Sequence, residues 1–269
     1  MEITDLQNYV IDIPRSDTLK TSYGSNDTAT TVLTIIKTDV GLEGYGQASV
    51  DAPFYGETAE SMFVNIEKHI KPHLIGLDPL EHTKILNIIN KNLPFHNHTF
   101  TISGVDMALW DLKGKIFDTP LYNLLGGKIN EGIELMGFVH HGSPEDMSKY
   151  AKKLCNETSY KVLKMKIGMD PEEDLKRYAS VIDSISDNIV IQVDGNTGYS
   201  IDQAVPTIKK MEDLGKLGAI EQPVHRKCDM SDLASKLHTP IMADEAIYGP
   251  EDAIEIVKEK AASLALLKI

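Results

Sequence analysis

Charged residues recur at regular intervals along the second half of the chain, each at the end of a short apolar segment. Lys166, Asp194, Glu221, Asp244 and Lys268 follow one another at steps of 28, 27, 23 and 24 residues. Each step has the length of one strand, one helix and two loops. Successive βα units of this kind predict a parallel barrel, in which the strand ends converge on one face. Carboxylates and lysines would then meet on that face.

Strand and helix patterns alternate after Gly126 and Gly127, which mark a predicted domain boundary. Such an alternation favours parallel strands joined by right-handed crossovers. We predict that residues 128–269 form a (β/α) barrel of the TIM type with about six of its eight strands. The predicted strands are 133–139, 162–167, 189–193, 217–220, 240–243 and 264–267, and the predicted helices are 144–155, 171–185, 200–214 and 250–258.

The first half of the chain has a different pattern. Residues 1–50 alternate in the manner of antiparallel strands, and residues 57–93 change to helical spacing with breaks near Pro72 and Pro79. Segment 103–117 predicts the clearest helix, with Ser103 as its N-terminal cap. These patterns predict an α+β domain over residues 1–127, so the whole chain is assigned to the α/β class.

Three acidic residues, Asp194, Glu221 and Asp244, end consecutive predicted strands. Unpaired carboxylates facing a common centre would repel one another, and a bound divalent cation is the simplest way to satisfy them. Ligands made only of oxygen favour a hard ion such as Mg²⁺. Asn196 and Glu245 adjoin this row and are candidates for supporting the ligands from behind, although Asn196 also fits a turn.

Three lysines are candidate catalytic groups. Lys164 and Lys166 are two positions apart on a predicted strand, so their side chains leave the same face. Two ammonium groups so close together, near a dication, are expected to depress each other's pKa and leave one neutral enough to act as a base. Lys268 ends the sixth predicted strand, which in a closed barrel lies opposite the strand of this pair. It is therefore expected to meet the other face of a substrate.

Composition narrows the range of partners. The formal net charge is -13 at pH 7, which disfavours nucleic acid and anionic membranes because both would repel the chain. The N-terminus has no signal-peptide pattern, and no stretch approaches about 18 uncharged apolar residues. Cys155 and Cys228 are too few for a disulfide framework. We expect a cytoplasmic protein that binds a small molecule.

The order of the motifs resembles the enolase superfamily, and within it the muconate lactonizing enzyme subgroup. The resemblance lies in Lys-Met-Lys at 164–166, Val-Asp-Gly-Asn at 193–196, Glu-Gln-Pro at 221–223, Ala-Asp-Glu at 243–245 and the lysine of the sixth strand. Segments 44–47 and 105–115 resemble recurrent parts of the family's capping domain, so the resemblance covers essentially the whole chain. Asp244 and Lys268 favour the two-lysine subgroup over the mandelate-racemase type, which uses a histidine and an aspartate from later strands.

The resemblance implies a role for each member of the cluster. It implies that Lys166 and Lys268 are the two acid/base groups and that Lys164 assists Lys166. It also implies that the substrate is a small carboxylate whose α-proton leaves to give a metal-stabilised enolate. If the opposite lysine returns the proton, the α-carbon inverts. We therefore predict a racemase or epimerase of an N-acyl or N-methyl amino acid, a betaine or a dipeptide. The implied Mg²⁺ ligands are Asp194, Glu221 and Asp244.

Other activities remain open at this point. A muconate-type cycloisomerase or an acid dehydratase would use the same scaffold with only one lysine as the proton carrier. A more distant alternative is a Schiff-base aldolase, in which Lys166 or Lys268 attacks a carbonyl carbon. A further alternative is that the chain is a non-catalytic module derived from an enzyme.

Substrate recognition is expected to come from loops that close over the barrel mouth. Tyr23 and Tyr55 predict an apolar or cation-binding wall, which would suit a quaternary ammonium group. The alternative is that these aromatic rings pack on the neighbouring domain. His140, just after the first barrel strand, is a further candidate for lining the mouth. His96 and His98 have no partner cysteines and do not indicate a zinc site.

Residues 128–269 are too few for a complete barrel, which with its helices takes about 250 residues. An open sheet would expose two edges and the apolar lining, which favours association. We therefore expect that the sequence is a C-terminally truncated form of a longer protein, or that another chain completes it. We also expect a homo-oligomer.

Overall fold

The structure is a computed structural model that describes residues 1–21, 24–50, 52, 56–93 and 98–268. It divides into two compact units, Met1–Ser16 with Asp27–Gly132 and Asp17–Asn26 with Ile133–Ile269. Each unit has its own hydrophobic core. The predicted boundary between residues 127 and 128 stays a prediction. Across the described ranges, we find no helix with the length and apolar character needed to cross a membrane.

The chain begins with a three-stranded sheet in the order β1-β2-β3. Strands β2 and β3 are antiparallel, as the alternation in residues 1–50 predicts. Helices follow, with one π-helical stretch at Asn65–Ile70. The strands are β1 (Ile3–Thr21), β2 (Gly24–Thr38) and β3 (Glu43–Ser49), and the helices are α1 (Ala59–Val64), α2 (Lys71–Leu74), α3 (His82–Asn92), α4 (Thr99–Ile116) and α5 (Leu121–Leu124).

Helix α4 lies directly on strand β3 because two glycines leave room for it. A Cβ atom on Gly46 would lie 1.9 Å from the carbonyl oxygen of Gly104, and one on Gly44 would lie 2.1 Å from that of Ala108. Only glycine allows so close an approach of two backbones. The two segments of the first unit that carry the family resemblance therefore pack against each other.

The predicted start of this helix is wrong. Helix α4 begins at Thr99, and Ser103 lies inside it rather than at its cap. The buried carboxylate of Glu57 accepts the backbone N–H groups of Phe100 at 2.9 Å and Thr101 at 3.4 Å. A carboxylate satisfies the free N–H groups at a helix N-terminus. The cap thus comes from a residue 43 positions before Phe100, which local sequence patterns do not reveal.

The second unit is a six-stranded parallel sheet in the order β4-β5-β6-β7-β8-β9, with a helix between each pair of consecutive strands. This is the predicted βα alternation. The strands are β4 (Gly137–Val139), β5 (Val162–Lys166), β6 (Val190–Asp194), β7 (Leu217–Glu221), β8 (Ile241–Ala243) and β9 (Leu264–Ala265), and the helices are α6 (Pro144–Glu157), α7 (Pro171–Ser184), α8 (Ile201–Leu214), α9 (Lys227–Lys236) and α10 (Pro250–Glu259).

Polar caps fix where three of these helices begin. The side chain of Ser143 accepts the N–H of Asp146, Asp170 accepts those of the second and third residues of α7, and Ser200 forms a capping box with Gln203. Such caps satisfy N–H groups that have no partner within the helix. Helix α9 has no side-chain cap at Arg226, and the sequence patterns did not predict it.

The first and last predicted strands of the barrel are shorter than expected. Of segment 133–139, only Gly137–Val139 is a strand, and Ile133 is 86% exposed. Gly137 pairs with Leu163, and β5 begins one residue earlier at Val162. Residues before Met136 therefore have no residue of β5 to pair with. Of segment 264–267, only Leu264–Ala265 pairs.

Candidate active site

Parallel pairing brings the predicted site residues to one edge of the sheet. Lys166 on β5 is in register with Asp194 on β6, and Asp194 is in register with Glu221 on β7. Asp244 directly follows β8, and Lys268 lies shortly after β9. All five residues thus lie at or just beyond the carboxyl ends of adjacent parallel strands, which is where such folds place their active sites.

Two lysines and two carboxylates form a buried ion cluster at this edge. Lys164 Nζ donates to both carboxylate oxygens of Glu221, at 2.6 and 2.7 Å, and lies 2.8 Å from Asp194 Oδ2. Lys166 Nζ donates to the same Asp194 oxygen at 2.6 Å. Glu221 and Asp194 are 0% and 1% exposed. Charges buried so deeply are tolerable only when they are paired.

Lys268 contacts the other end of the acidic row. Its ammonium group donates to Oδ1 of Asp244, a buried carboxylate. The Lys268 side chain is 40% exposed, whereas that of Lys166 is 15% exposed. The two lysines that the resemblance names as acid/base groups therefore bind the two terminal carboxylates, with Glu221 on the strand between them.

Burial and neighbouring charges set the protonation of this cluster. Burial lowers the pKa of Lys164, but the charges of Asp194 and Glu221 outweigh it, so the pKa lies above its usual value. Burial raises the pKa of Asp194, but Lys166 and Lys164 outweigh it, so that pKa is lowered. Burial and the charge of Asp194 raise the pKa of Glu221. The nearby carboxylates thus determine the direction of the Lys164 shift. The expectation that the lysine pair near a dication leaves one amine neutral stays a prediction.

Two buried glutamines support the acidic row, and the sequence reasoning missed both. Gln192 Nε2 donates to Glu221 Oε2 at 2.5 Å. Gln222 Oε1 accepts the backbone N–H of Asp244 at 2.9 Å and of Ala246 at 3.1 Å. A usable signal was present for Gln192, since it lies two positions before Asp194 on the same strand and thus on the same face.

Asn196 and Glu245 lie together beside the cluster. Asn196 Oδ1 accepts from Lys166 Nζ at 2.7 Å, and its Nδ2 donates to Glu245 Oε1 at 2.9 Å. Both side chains are buried. Burial, followed by the charge of Asp244, raises the pKa of Glu245. Asn196 also has a positive φ of 39°, so it is a turn residue as well as a partner of Lys166.

Asp174, which is fully buried on α7, connects the loops around the cluster. Its Oδ2 accepts the backbone N–H groups of Gly168 and Met169, at 2.9 and 3.2 Å, and the hydroxyl of Tyr199 at 2.7 Å. Its Oδ1 accepts from Arg177 at 3.0 Å. Because Gly168 follows β5 and Tyr199 follows β6, this one carboxylate holds the loops after Lys166 and after Asp194.

Of the three residues predicted to recognise the substrate, only His140 lies in the described part of the chain. Tyr23 and Tyr55 lie outside the described residues. His140 is exposed just after β4, and its ring lies 5.0 Å from that of Tyr150 on α6. Phe138 on β4 was not predicted for the site, yet its ring centroid lies 5.5 Å from Lys164 Nζ. A role of these residues in recognition stays a prediction.

Two family descriptions match the chain. The "Mandelate racemase / muconate lactonizing enzyme, N-terminal domain" matches residues 7–126, and "Enolase C-terminal domain-like" matches residues 146–269. The chain belongs to the muconate lactonizing enzyme subgroup of the enolase superfamily. The family prediction is therefore confirmed.

Members of the superfamily with assigned activities resemble the chain along its length. N-succinyl-L-Arg/Lys racemase of Bacillus cereus is 30% identical over 273 residues, which cover 100% of this chain and 73% of the racemase. Muconate cycloisomerase 1 of Acinetobacter baylyi is 28% identical and covers 98% of this chain and 72% of its own length. These relatives support the predicted enzyme class, and the chain is an isomerase of the enolase superfamily.

A solved structure shows the same fold. The dipeptide epimerase of Enterococcus faecalis V583, in complex with Mg and the dipeptide L-Leu-L-Tyr, matches with a TM-score of 0.91 at 27% identity, over 98% of this chain and 74% of the epimerase. The predicted fold class, an α+β domain followed by a βα barrel, is confirmed.

Proposed function

We propose that the protein removes the α-proton of a small carboxylate and returns a proton to the opposite face of the same carbon, as a racemase or epimerase of an amino-acid derivative. The observation that carries this proposal is the pair of lysines at the two ends of one acidic row. Lys166 binds Asp194 and Lys268 binds Asp244. Two amine bases held apart in this way can serve the two faces of one substrate carbon.

Proton transfer requires one neutral lysine and one protonated lysine. The neutral amine of one lysine breaks the α C–H bond and takes the proton, while the ammonium group of the other lysine donates a proton to the opposite face. The first lysine ends protonated and the second neutral, so the pair is ready for the reverse direction. Lys164, buried against Asp194 and Glu221, contributes positive charge beside the substrate carboxylate.

The acidic row fits a hard divalent cation such as Mg²⁺ by its chemistry. Asp194, Glu221 and Asp244 offer only carboxylate oxygens. Ammonium groups already lie against these oxygens, so the row attracts cations. As the side chains of the described residues stand, no group of three His, Cys, Asp or Glu residues is arranged to hold a metal. Bound Mg²⁺ would supply positive charge that stabilises the negative charge developing on the substrate carboxylate.

The relatives narrow the substrate class. One is a racemase of N-succinyl-L-Arg/Lys, and others are dipeptide epimerases. The names of these relatives give an N-acylated amino acid or a dipeptide as the substrate. We therefore favour an N-acyl amino acid or a dipeptide over a betaine as the substrate. Muconate cycloisomerase is the second candidate, because relatives of that activity match the chain nearly as well.

The test is α-proton exchange in deuterated water, followed by NMR and mass spectrometry. The protein is loaded with Mg²⁺ and offered N-acyl amino acids, N-methyl amino acids and dipeptides. We expect deuterium at the α-carbon of at least one substrate and loss of that exchange with EDTA. Exchange of no substrate would overturn the racemase proposal, and conversion of cis,cis-muconate without such exchange would favour the cycloisomerase.

A further inference from the structure

A chain of two hydrogen bonds runs from the catalytic candidate Lys166 to a buried acid three strands away. Lys166 Nζ donates to Asn196 Oδ1 at 2.7 Å, and Asn196 Nδ2 donates to Glu245 Oε1 at 2.9 Å. Lys166 is on β5, Asn196 follows β6 and Glu245 follows β8. The connection therefore joins the carboxyl end of β5 to the loops after β6 and β8.

Burial makes the Asn196–Glu245 bond costly to lose. Asn196 and Glu245 are 4% and 8% exposed. The second oxygen of Glu245, Oε2, is buried and has no hydrogen-bond partner in the part of the chain that is described. A buried carboxylate with so few partners is stabilised mainly by the bonds it does make. Asn196 Nδ2 supplies the side-chain bond to Glu245.

The chemistry of the amide group explains what this bond does. An asparagine side chain has one end that accepts hydrogen bonds and one end that donates them. An ionised carboxylate only accepts, so Glu245 binds the donating end of Asn196. The accepting end is thereby turned towards Lys166. If the amide rotated by half a turn, its NH₂ group would face an ammonium group, and donor would oppose donor.

We propose that Glu245 is a positioning residue that acts through Asn196 to hold Lys166 in place for proton transfer. The inference rests on the proposed function, because it concerns one of the two lysines of that reaction. Lys268 donates instead to Asp244. Loss of Glu245 should therefore impair proton transfer on the Lys166 face and spare the Lys268 face.

Four variants separate positioning from general damage. Glu245→Leu removes the acceptor for Asn196 Nδ2. Glu245→Gln keeps a side-chain oxygen that can accept the same bond. Tyr178→Phe is the matched control, because it removes one buried hydrogen bond, to the carbonyl oxygen of Gly215, outside the cluster. Asn196→Gly provides a second route to the same loss, since glycine tolerates the positive φ at this position.

The first measurement is α-proton exchange from each enantiomer separately in deuterated water. The enantiomer that depends on Lys166 is the one that Lys166→Ala stops. Glu245→Leu and Asn196→Gly should slow that enantiomer by about tenfold or more and leave the other nearly unchanged. Glu245→Gln should recover most of the lost rate, and Tyr178→Phe should affect both enantiomers alike. Equal slowing of both enantiomers by Glu245→Leu, or no recovery in Glu245→Gln, would overturn the inference.

The second measurement is a crystal structure, which does not depend on turnover. Lys166 Nζ should lie near 2.7 Å from Asn196 Oδ1 in the parent protein and should leave that oxygen in Glu245→Leu. An unchanged contact in Glu245→Leu would overturn the inference. If the parent protein exchanged neither enantiomer, the proposed function would fail, and the crystallographic contact would still decide whether Glu245 positions Lys166.

Discussion

The side-chain oxygen of Gln222 accepts the backbone N–H of Asp244 at 2.9 Å, and so ties the turn after β7 to the residue after β8. Gln222→Leu removes this bond and frees the main chain around a proposed Mg²⁺ ligand. We expect Mg²⁺ affinity to fall by about tenfold or more, as is usual when a group that orients a ligand is lost. Isothermal titration calorimetry measures this directly. Gln203→Ala, on the exposed start of α8, should bind Mg²⁺ like the parent protein, and equal affinity in both variants would contradict the prediction.

Gly168 and Gly215 offer a matched pair for measuring the close packing of two loops. Both have positive φ, 96° and 89°, but a Cβ on Gly168 would lie 2.3 Å from the carbonyl oxygen of Gly195, whereas one on Gly215 meets nothing within 4 Å. Gly215→Ala should cost about 1–3 kcal/mol of unfolding free energy for backbone conformation alone, because φ 89° with ψ 178° is a region almost restricted to glycine. Gly168→Ala should cost clearly more, because backbone atoms must also move. Urea unfolding gives both values, and equal losses would show that the loops have room.

Asp174 should be a major contributor to stability around the site. Asp174→Asn places an NH₂ group or a weaker acceptor against donors from Gly168, Met169, Tyr199 and Arg177. We expect a loss of about 2 kcal/mol or more, since buried donors are left without an acceptor. Tyr199→Phe removes only one of these bonds and should cost about 1 kcal/mol. Denaturant titrations of the two variants should keep this order, and a smaller loss for Asp174→Asn would contradict the account of the loops.

Magnesium should stabilise the folded protein through the acidic row. A ligand that binds only the folded state adds about 2.7 kcal/mol when its concentration is 100 times Kd. We expect Mg²⁺ to raise the melting temperature, EDTA to reverse the rise, and Asp244→Asn to reduce it strongly. Asp187→Asn is the control, because its side chain is fully exposed. A rise of the same size in Asp244→Asn and the parent protein would show that Mg²⁺ binds elsewhere.

Much of the barrel could be predicted from the sequence because its signals are local. Apolar segments, polar caps and strand-end charges recur at βα spacing, and parallel pairing then brings Lys166, Asp194 and Glu221 into register. The predictions that failed concern features that are set by residues distant in the sequence. The cap of α4 comes from Glu57, and the length of β4 is set by where β5 begins. Cytoplasmic location and a homo-oligomer stay predictions.

The charge state of the site could not be predicted from residue types alone. The sequence pairs Lys164 with Lys166, which suggests repulsion, but the fold places Glu221 and Asp194 within 2.8 Å of Lys164. The charges of these carboxylates therefore raise the pKa of Lys164 against the effect of burial. Gln222 was missed for a related reason, because a neutral amide gives no signal of its own until the loops are assembled around it. Gln192 could have been found, since it shares a strand face with Asp194.

Exchange from single enantiomers by the two lysine variants tests the central claim most directly. Lys166→Ala and Lys268→Ala are each loaded with Mg²⁺ and given the separate enantiomers of an exchanging substrate in deuterated water. Both variants should lose racemisation, because the reaction uses both lysines. Each should keep α-proton exchange with one enantiomer, and the two variants should keep opposite enantiomers. If both variants kept the same enantiomer, or if either still racemised the substrate at the parent rate, two opposed lysines would not be the bases of this enzyme.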